Sequence, residues 1–271
     1  MSGTASTQDR IGRAFARCRE EGSGALVTYL MAGDPDLETS KAMALACVEG
    51  GADILELGVP FSDPIAEGVT IQRAAERSLK AGTTVKRCLA LAASVREKTD
   101  VPIAFMGYLN PMLAYGDALF GDCRAAGVDA LIIPDLPPDE AVEHSARSAE
   151  AGIQTVFLLA PTSTPERIEA VCRATTGFVY FVSVTGVTGA RAELPPEVGA
   201  QVRRIRAVSP RPVVVGFGVS RPEQAKVLKA DADGVVVGSA IVSRIAEGGT
   251  VAERAERVRT FVASLKAALH P

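Results

Sequence analysis

Two glutamates in one short passage are the side chains best suited to chemistry. Residues 53–72 read DILELGVPFSDPIAEGVTIQ, and Glu56 interrupts an apolar run from Ile54 to Val59 that predicts a strand buried on both faces. A charge at that position must be paired, desolvated at a cost, or used to move a proton. Pro60, Pro64 and Gly68 restrict the conformation of the loop that follows. The loop can therefore fold back and place Glu67 above the end of the strand. The passage predicts a pair of carboxylates for acid–base work; a strand-edge glutamate followed by a helix-capping acid is the alternative.

The elements that position this passage alternate regularly between helix and strand. A first helix over about residues 8–22 precedes eight apolar, β-branched strands, each followed by a helix, with no hairpin signal. This order predicts an α/β fold, a TIM (β/α)8 barrel with an extra N-terminal helix, in which residues 1–271 form a single domain. An open doubly wound sheet is the alternative, but the first strand ends in MAGDP and no GxGxxG follows it.

Element boundaries follow from the apolar runs and from the glycines and prolines between them. After the strand ALVTYLM, the second helix is expected to begin at Asp34 and Pro35, and the second strand is the one that carries Glu56. The later strands are predicted at 101–107, in VDALIIPDLP, at 153–160, and in FVYFVSV, PVVVGFG and GVVVGSA. The later helices are predicted at 70–80, 84–98, 111–126, 138–151, 164–175, 195–208 and 221–229, with a final pair at the end.

A barrel places its chemistry at the C-terminal ends of its strands. Those ends carry Glu56, Gly107 with Tyr108, Asp135, the loop 185–194, Gly216 to Gly218, and Gly238 with Ser239. Three of these turns, in GVTG, GFG and GSA, bear glycines around neighbouring strands, so that backbone N–H groups and a helix N-terminus can approach an anion. They predict a phosphate site that uses no lysine or arginine, although glycines required for tight turns would look the same.

Composition excludes several classes of function. The net charge is -3 and the sequence has no basic stretch, so it does not predict a positively charged surface that would bind nucleic acid or an anionic membrane. No cationic region followed by an apolar one opens the chain, which favours a cytoplasmic protein. The isolated Cys18, Cys47, Cys88, Cys123 and Cys172 are interpreted as small core residues and not as disulfides or zinc ligands.

The remaining side chains narrow the chemistry further. Every lysine falls in a predicted helix, hence outside the barrel, and none is placed to form a Schiff base: Lys41, Lys80, Lys86, Lys98, Lys226, Lys229 and Lys266. His144 and His270 lie in a helix and at the end of the chain, which argues against a metal held by imidazoles. We therefore expect no metal and no cofactor. Proton transfer by carboxylates remains, on a phosphorylated substrate that carries its own electron sink.

Motifs along nearly the whole chain resemble those of the tryptophan synthase alpha chain family. They are, in order, AGDP, LELGVPFSDP, IQRA, PDLP, LAPTS, SVTGVTGAR, GFGVS and VGSAIV. The resemblance implies a TIM barrel that cleaves indole-3-glycerol phosphate to indole and glyceraldehyde 3-phosphate by a retro-aldol reaction, with the indole ring as electron sink. It also implies a β chain partner, in an α2β2 complex, that joins indole to serine with pyridoxal phosphate.

The resemblance also implies roles for individual residues. Glu56 would protonate the indole ring carbon and also take the glycerol hydroxyl proton, while Glu67 would recognise the indole N–H. The phosphate would be held by Gly189, Gly218, Gly238 and Ser239, and the indole and glycerol pocket would be lined by Tyr29, Met106, Tyr180 and Phe217. Tyr108 and Asp135 would lie near Glu56, Thr188 would reach toward the second carboxylate, and Pro60, Asp63 and Pro64 would meet the β chain. Ordinary core packing competes for the four pocket residues, and Asp135 could instead cap the helix that follows it.

One passage departs from the family pattern. The family usually reads SDPxADGP, whereas this chain reads SDPIAEGV, with Glu67 in place of aspartate and Val69 in place of proline. The added methylene moves the carboxylate by about 1 Å, enough to cost a large factor in rate if nothing else adjusts. Three interpretations therefore stay open: an α subunit of a complex, a stand-alone indole-releasing lyase, and a weakly active α-like activator of a β chain.

Overall fold

The fold is a closed barrel of parallel strands. The computed structural model describes residues 9–182 and 197–271, which contain nine strands in the order β5-β4-β3-β2-β1-β9-β8-β7-β6. The strands are β1 (Ala25–Met31), β2 (Ile54–Gly58), β3 (Ile103–Met106), β4 (Ala130–Ile132), β5 (Gln154–Val156), β6 (Leu158–Leu159), β7 (Val179–Val182), β8 (Val213–Gly216) and β9 (Gly234–Val237). Each neighbouring pair is parallel, as a chain of βα units requires.

The two ends of the strand order are joined through a single residue. β5 and β6 are separated only by Phe157, whose carbonyl accepts a hydrogen bond from Tyr180 N at 3.1 Å. They are the two halves of the strand predicted at 153–160, so the barrel closes through this interrupted strand. The predicted TIM barrel is confirmed, with its fifth strand split.

Helices surround the barrel. They are α1 (Arg10–Glu20), α2 (Leu37–Glu49), α3 (Val69–Lys80), α4 (Val85–Arg96), α5 (Leu109–Tyr115), α6 (Leu119–Ala125), α7 (Val142–Glu150), α8 (Pro165–Ala174), α9 (Glu197–Val208), α10 (Pro222–Lys229), α11 (Ser239–Ala246) and α12 (Val251–Leu269). No helix in residues 9–182 or 197–271 is long and apolar enough to cross a membrane.

Two of the differences between predicted and observed helices have a clear local cause. The helix expected from Asp34 and Pro35 begins at Leu37, because the Asp36 side chain accepts a hydrogen bond from Thr39 N at 2.8 Å and caps the first turn. The helix predicted at 111–126 is two helices, α5 and α6. Gly116 separates them with a φ of +89°, a backbone conformation outside the helical region.

Alternate residues of each strand face the inside and the outside of the barrel. In β2, Leu55 and Leu57 pack in the apolar layer between barrel and helices, whereas Ile54 packs with the barrel interior. Because side chains alternate along a strand, Glu56 faces the same way as Ile54, into the barrel. Strand alternation thus delivers a carboxylate to the interior.

The N-terminal end of the barrel is closed by α1. The Phe15 ring lies 5.9 Å from the Phe178 ring, centroid to centroid, inside the barrel mouth. Beside it, Asp53 accepts hydrogen bonds from Leu26 N at 2.8 Å, Arg17 Nη2 at 2.7 Å and Lys266 Nζ at 2.7 Å. This buried carboxylate therefore ties α1, β1 and α12 together.

Candidate active site

A cavity of about 430 Å³ opens at the C-terminal end of the strands. We call it the C-terminal cavity. Among the residues predicted for the site, it is lined by Tyr29, Glu56, Glu67, Met106, Tyr180, Gly218, Gly238 and Ser239. Residues from strands and loops far apart in sequence thus come together at the end of the barrel where such enzymes place their chemistry.

Glu56 lies at the inner wall of this cavity without a partner. Its side chain is 0% exposed, and neither carboxylate oxygen has a hydrogen-bond partner in the described part of the chain. Burial raises its pKa to about 8, because the charged form loses its hydration and gains no compensating contact. The group is therefore a neutral carboxylic acid at pH 7, able to give a proton.

Two tyrosines share the wall with Glu56. Tyr29 stands beside it in the β1–β2 register, and Tyr180 comes from β7; both are buried. Burial, together with the nearby carboxylates, raises the pKa of both phenols well above the usual value, so both stay protonated. Glycines make room for the rings: a Cβ at Gly58 would lie 2.2 Å from Tyr29 Oη, and one at Gly216 would lie 2.6 Å from Tyr180 Cε2.

Glu67 reaches the cavity from the loop between β2 and α3. Tyr108 Oη donates a hydrogen bond to Glu67 Oε2. Burial raises the pKa of Glu67, and the Tyr108 hydrogen bond offsets part of that rise. The two carboxylates therefore sit in different environments, since one has a donor and the other has none.

Tyr108 and Asp135 have contacts other than those predicted. We expected both near Glu56, but Tyr108 bonds to Glu67, and neither residue lines the C-terminal cavity. Asp135 is exposed and accepts a hydrogen bond from Leu109 N at 2.9 Å. It therefore caps the start of α5, on the neighbouring βα unit, and not the helix that follows it in sequence.

The predicted phosphate residues lie at one end of the cavity. Gly218 has a φ of +68°, which a residue with a side chain adopts only with strain, and Gly238 is the N-cap of α11, whose first residue is Ser239. The first N–H groups of a helix have no acceptor within the helix and attract anions. Gly189, which we expected at the same end, and Thr188, which we expected to reach toward Glu67, lie outside the described residues.

We expected Phe217 to line the C-terminal cavity, but it does not. It is buried, with its ring 5.1 Å from that of Phe181 in the layer between barrel and helices. A side chain next to two glycines on a strand end can face either side, and core packing places this one outward.

One segment of the cavity wall, between Leu158 and Arg167, was not predicted from the sequence. Leu158, Leu159, Ala160, Ser163 and Arg167 also line the cavity. Arg167, in the first turn of α8, pairs with Asp139 at 3.2 Å and brings a cation to a wall where none was expected. The LAPTS motif at the end of the fifth predicted strand was a signal for this segment, because every such end faces the same rim.

The loop predicted to meet a partner leaves the barrel beside the cavity. Pro60 is buried, Pro64 is half-buried and Asp63 is exposed. Ile65 and Val69, just after it, are 83% and 59% exposed. Ile65 also lines the rim of the C-terminal cavity, so this loop joins the cavity to the protein surface.

The described residues contain no group of three histidines, cysteines or acids that could hold a metal ion. What the cavity offers is a neutral acid, a second carboxylate held by a hydroxyl, apolar and aromatic walls, and an anion-binding end. This set can bind a phosphorylated aromatic molecule and move protons on it.

Comparison with known proteins gives one consistent result. Residues 15–270 match the family described as tryptophan synthase alpha chain. The alpha chain of Citrifermentans bemidjiense is 50% identical, covering 95% of this chain and 96% of its own length, and that of Geobacter sulfurreducens is 50% identical, covering 96% and 98%. A chain of Mycobacterium tuberculosis tryptophan synthase superposes with a TM-score of 0.90 at 42% identity, covering 97% of this chain and 98% of its own.

Proposed function

Because this chain belongs to the tryptophan synthase alpha chain family, we propose that it is the lyase that cleaves indole-3-glycerol phosphate to indole and glyceraldehyde 3-phosphate in tryptophan biosynthesis. The observation that carries this function is Glu56, a buried acid without a hydrogen-bond partner among the described residues, at the wall of a cavity of about 430 Å³. The interpretations as a stand-alone lyase or a weakly active activator gain no support from the relatives named above, which are tryptophan synthase alpha chains.

The reaction requires one proton to enter and one to leave. Neutral Glu56 gives its proton to the indole carbon that carries the glycerol chain, which turns the ring into an electron sink. The carbon–carbon bond then breaks, its electrons return to the ring, and the hydroxyl on the departing carbon becomes the aldehyde. The Glu56 carboxylate takes up that hydroxyl proton and returns to the neutral acid. A group without other partners can serve both steps.

Glu67 has a different part in this proposal. Protonation of the ring carbon places positive charge on the indole nitrogen, and a carboxylate near the N–H stabilises that charge. Glu67 is suited to this because Tyr108 donates to one of its oxygens and orients it. The phosphate would lie at the end of the cavity formed by Gly218, Gly238 and Ser239.

The chain needs no cofactor for this reaction; in this family pyridoxal phosphate belongs to the β chain. The β chain is its partner, in an α2β2 complex that passes indole from one site to the next. We place the contact at the loop with Pro60, Asp63 and Pro64, supported by the exposed Asp63 and the exposed apolar Ile65 that follows.

We also propose that the protein works in the cytoplasm as a single domain over residues 1–271. All five cysteines are buried and unpaired, as is usual in a reducing compartment. The single sheet runs from residue 25 to residue 237, and the first and last helices, α1 and α12, both pack against β1, which supports one folding unit.

The direct test is release of indole from indole-3-glycerol phosphate by the purified chain, alone and with a tryptophan synthase β chain. We expect slow turnover alone and a sharp rise with the β chain. Fast turnover that ignores the β chain would favour the stand-alone lyase, and absence of turnover in both cases would overturn the proposal.

Glu67→Gln tests the second carboxylate in the same assay. The variant keeps the size of the side chain but loses its charge, so we expect turnover to fall by about tenfold or more. Glu76→Gln, on the exposed face of α3, is the matched control and should leave turnover unchanged. Unchanged turnover in Glu67→Gln would exclude this role.

A further inference from the structure

Tyr108 links the end of β3 to the loop that carries Glu67. Its hydroxyl accepts hydrogen bonds from Ile65 N at 3.0 Å and Ala66 N at 2.8 Å, and donates one to Glu67 Oε2. The ring is 3% exposed and lies 5.3 Å from the Phe61 ring, centroid to centroid. One oxygen therefore contacts three consecutive residues of the loop.

We propose that Tyr108 is the positioning residue for Glu67, which holds the carboxylate of the longer acid in the place from which it acts on the substrate. This inference rests on the proposed function. Glutamate has one more rotatable bond than aspartate, so its carboxylate samples more positions unless a contact fixes it. Tyr108 is the side-chain donor that the described residues offer to Glu67.

The geometry at the hydroxyl favours this role. Two N–H groups that donate to an oxygen polarise its O–H bond and strengthen its own donation. The same two bonds fix the loop backbone just before Glu67, so both ends of the glutamate side chain are restrained. On the other side, Asp135 caps Leu109 N at 2.9 Å and fixes the backbone that follows Tyr108.

The contact serves Glu67 and not Glu56. Both oxygens of Glu56 lack a hydrogen-bond partner in the described part of the chain, so the Tyr108 hydroxyl is not used there. Nor is Tyr108 needed to satisfy the loop, because Ile65 and Ala66 are exposed and water can accept from their N–H groups. The backbone N–H groups of Ala66 and Glu67 also favour the charged carboxylate, and the hydroxyl adds the side-chain contact that links it to the end of β3.

Removal of the hydroxyl should change how Glu67 titrates. The hydrogen bond from Tyr108 favours the charged form and lowers the pKa of Glu67 against the effect of burial, so its loss raises that pKa. The charged and titratable groups around Glu67 are Tyr29 on β1, Glu56 on β2, Asp135 in the loop after β4, and Arg167 of α8 on the cavity wall. None of these changes when Tyr108 becomes phenylalanine.

The test compares Tyr108→Phe with Tyr115→Phe. Tyr115 is a matched control because it also donates to a carboxylate, that of Asp122 at 2.5 Å, but on the surface of α5. We expect Tyr108→Phe to lower kcat/KM by about tenfold to a hundredfold and to move the acid limb of its pH profile to higher pH. Tyr115→Phe should change neither quantity.

A double-mutant cycle with Glu67→Gln separates positioning from general support of the fold. If Tyr108 acts through Glu67, its loss costs little once Glu67 is already glutamine. An equal fold-change in both backgrounds, with an unmoved pH profile, would overturn the proposal.

A second readout does not require activity. Carbon-13 NMR of carboxyl-labelled glutamate, with the Glu67 signal identified by its absence in Glu67→Gln, should show Glu67 titrating at higher pH in Tyr108→Phe. An unchanged titration would overturn the positioning role. Absence of indole release from the unmodified chain would instead overturn the proposed function and leave the NMR result to decide the inference.

Discussion

Asp53 and Glu56 are close in sequence and almost equally buried, yet their surroundings are opposite. Asp53, 2% exposed, is bound by Arg17, Lys266 and a backbone N–H; Glu56, 0% exposed, has no hydrogen-bond partner among the described residues. A carboxylate with partners holds elements together, whereas one without partners keeps its proton and can transfer it. Burial alone therefore does not identify a catalytic acid; the absence of compensation does.

The largest effect is expected from a substitution that prevents Glu56 from transferring a proton. Glu56→Gln keeps the shape but cannot give or take a proton, so indole release should fall by about 10²–10⁴-fold. Steady-state indole release with the β chain present measures this. Retention of more than about a tenth of the activity would show that the unpartnered acid is not the proton donor.

The second test is the pH dependence of stability. The folded pKa of Glu56, about 8, lies above its unfolded value near 4.5, so its contribution to stability is complete below pH 4.5 and is lost as pH rises through 8. Relative to Glu56→Gln, the unmodified chain should lose roughly 3 kcal/mol between about pH 5 and pH 8. Urea unfolding of both proteins across this range measures the difference. A constant difference would contradict the raised pKa.

Asp53→Asn tests the other carboxylate of the comparison, the one that has partners. It leaves Lys266, whose side chain is 14% exposed, without its counter-charge, so we expect a loss of about 2–3 kcal/mol in the free energy of unfolding. Arg17 is 53% exposed and can turn to water, which limits the cost. Turnover of the folded protein should stay unchanged. A large loss of turnover without loss of stability would contradict the claim that Asp53 stabilises the fold and takes no part in the reaction.

The smallest effect is expected at Val69→Pro, beside Glu67. Val69 is the first residue of α3 after the Gly68 N-cap, a position that suits proline, and its side chain is 59% exposed. The change should raise the free energy of unfolding by about 0.4–1 kcal/mol, because the unfolded chain has fewer conformations to lose. Thermal unfolding measures it. Destabilisation would mean that the folded backbone at this position does not accept proline.

Local patterns were sufficient for most of the fold. The alternation of strands and helices predicted the barrel, and the position of Glu56 in an apolar strand predicted an inward acid, because side chains alternate along a strand whatever surrounds it. The break at Gly116 and the interruption at Phe157 were missed. Gly116 stands inside a segment that reads as one helix, and Phe157 stands inside an apolar run that reads as one strand, so local patterns do not show that either element is divided.

The sequence by itself determined the family, the barrel, and the two carboxylates, since each depends on residues near one another along the chain. Only the tertiary structure decided which polar groups meet. Tyr108 bonds to Glu67 across 41 positions and Asp135 caps Leu109 across 26, whereas Glu56 gains no partner in the described part of the chain. Neighbouring strand ends are brought together by barrel closure, and the distances between their side chains are fixed by packing, which no local pattern encodes.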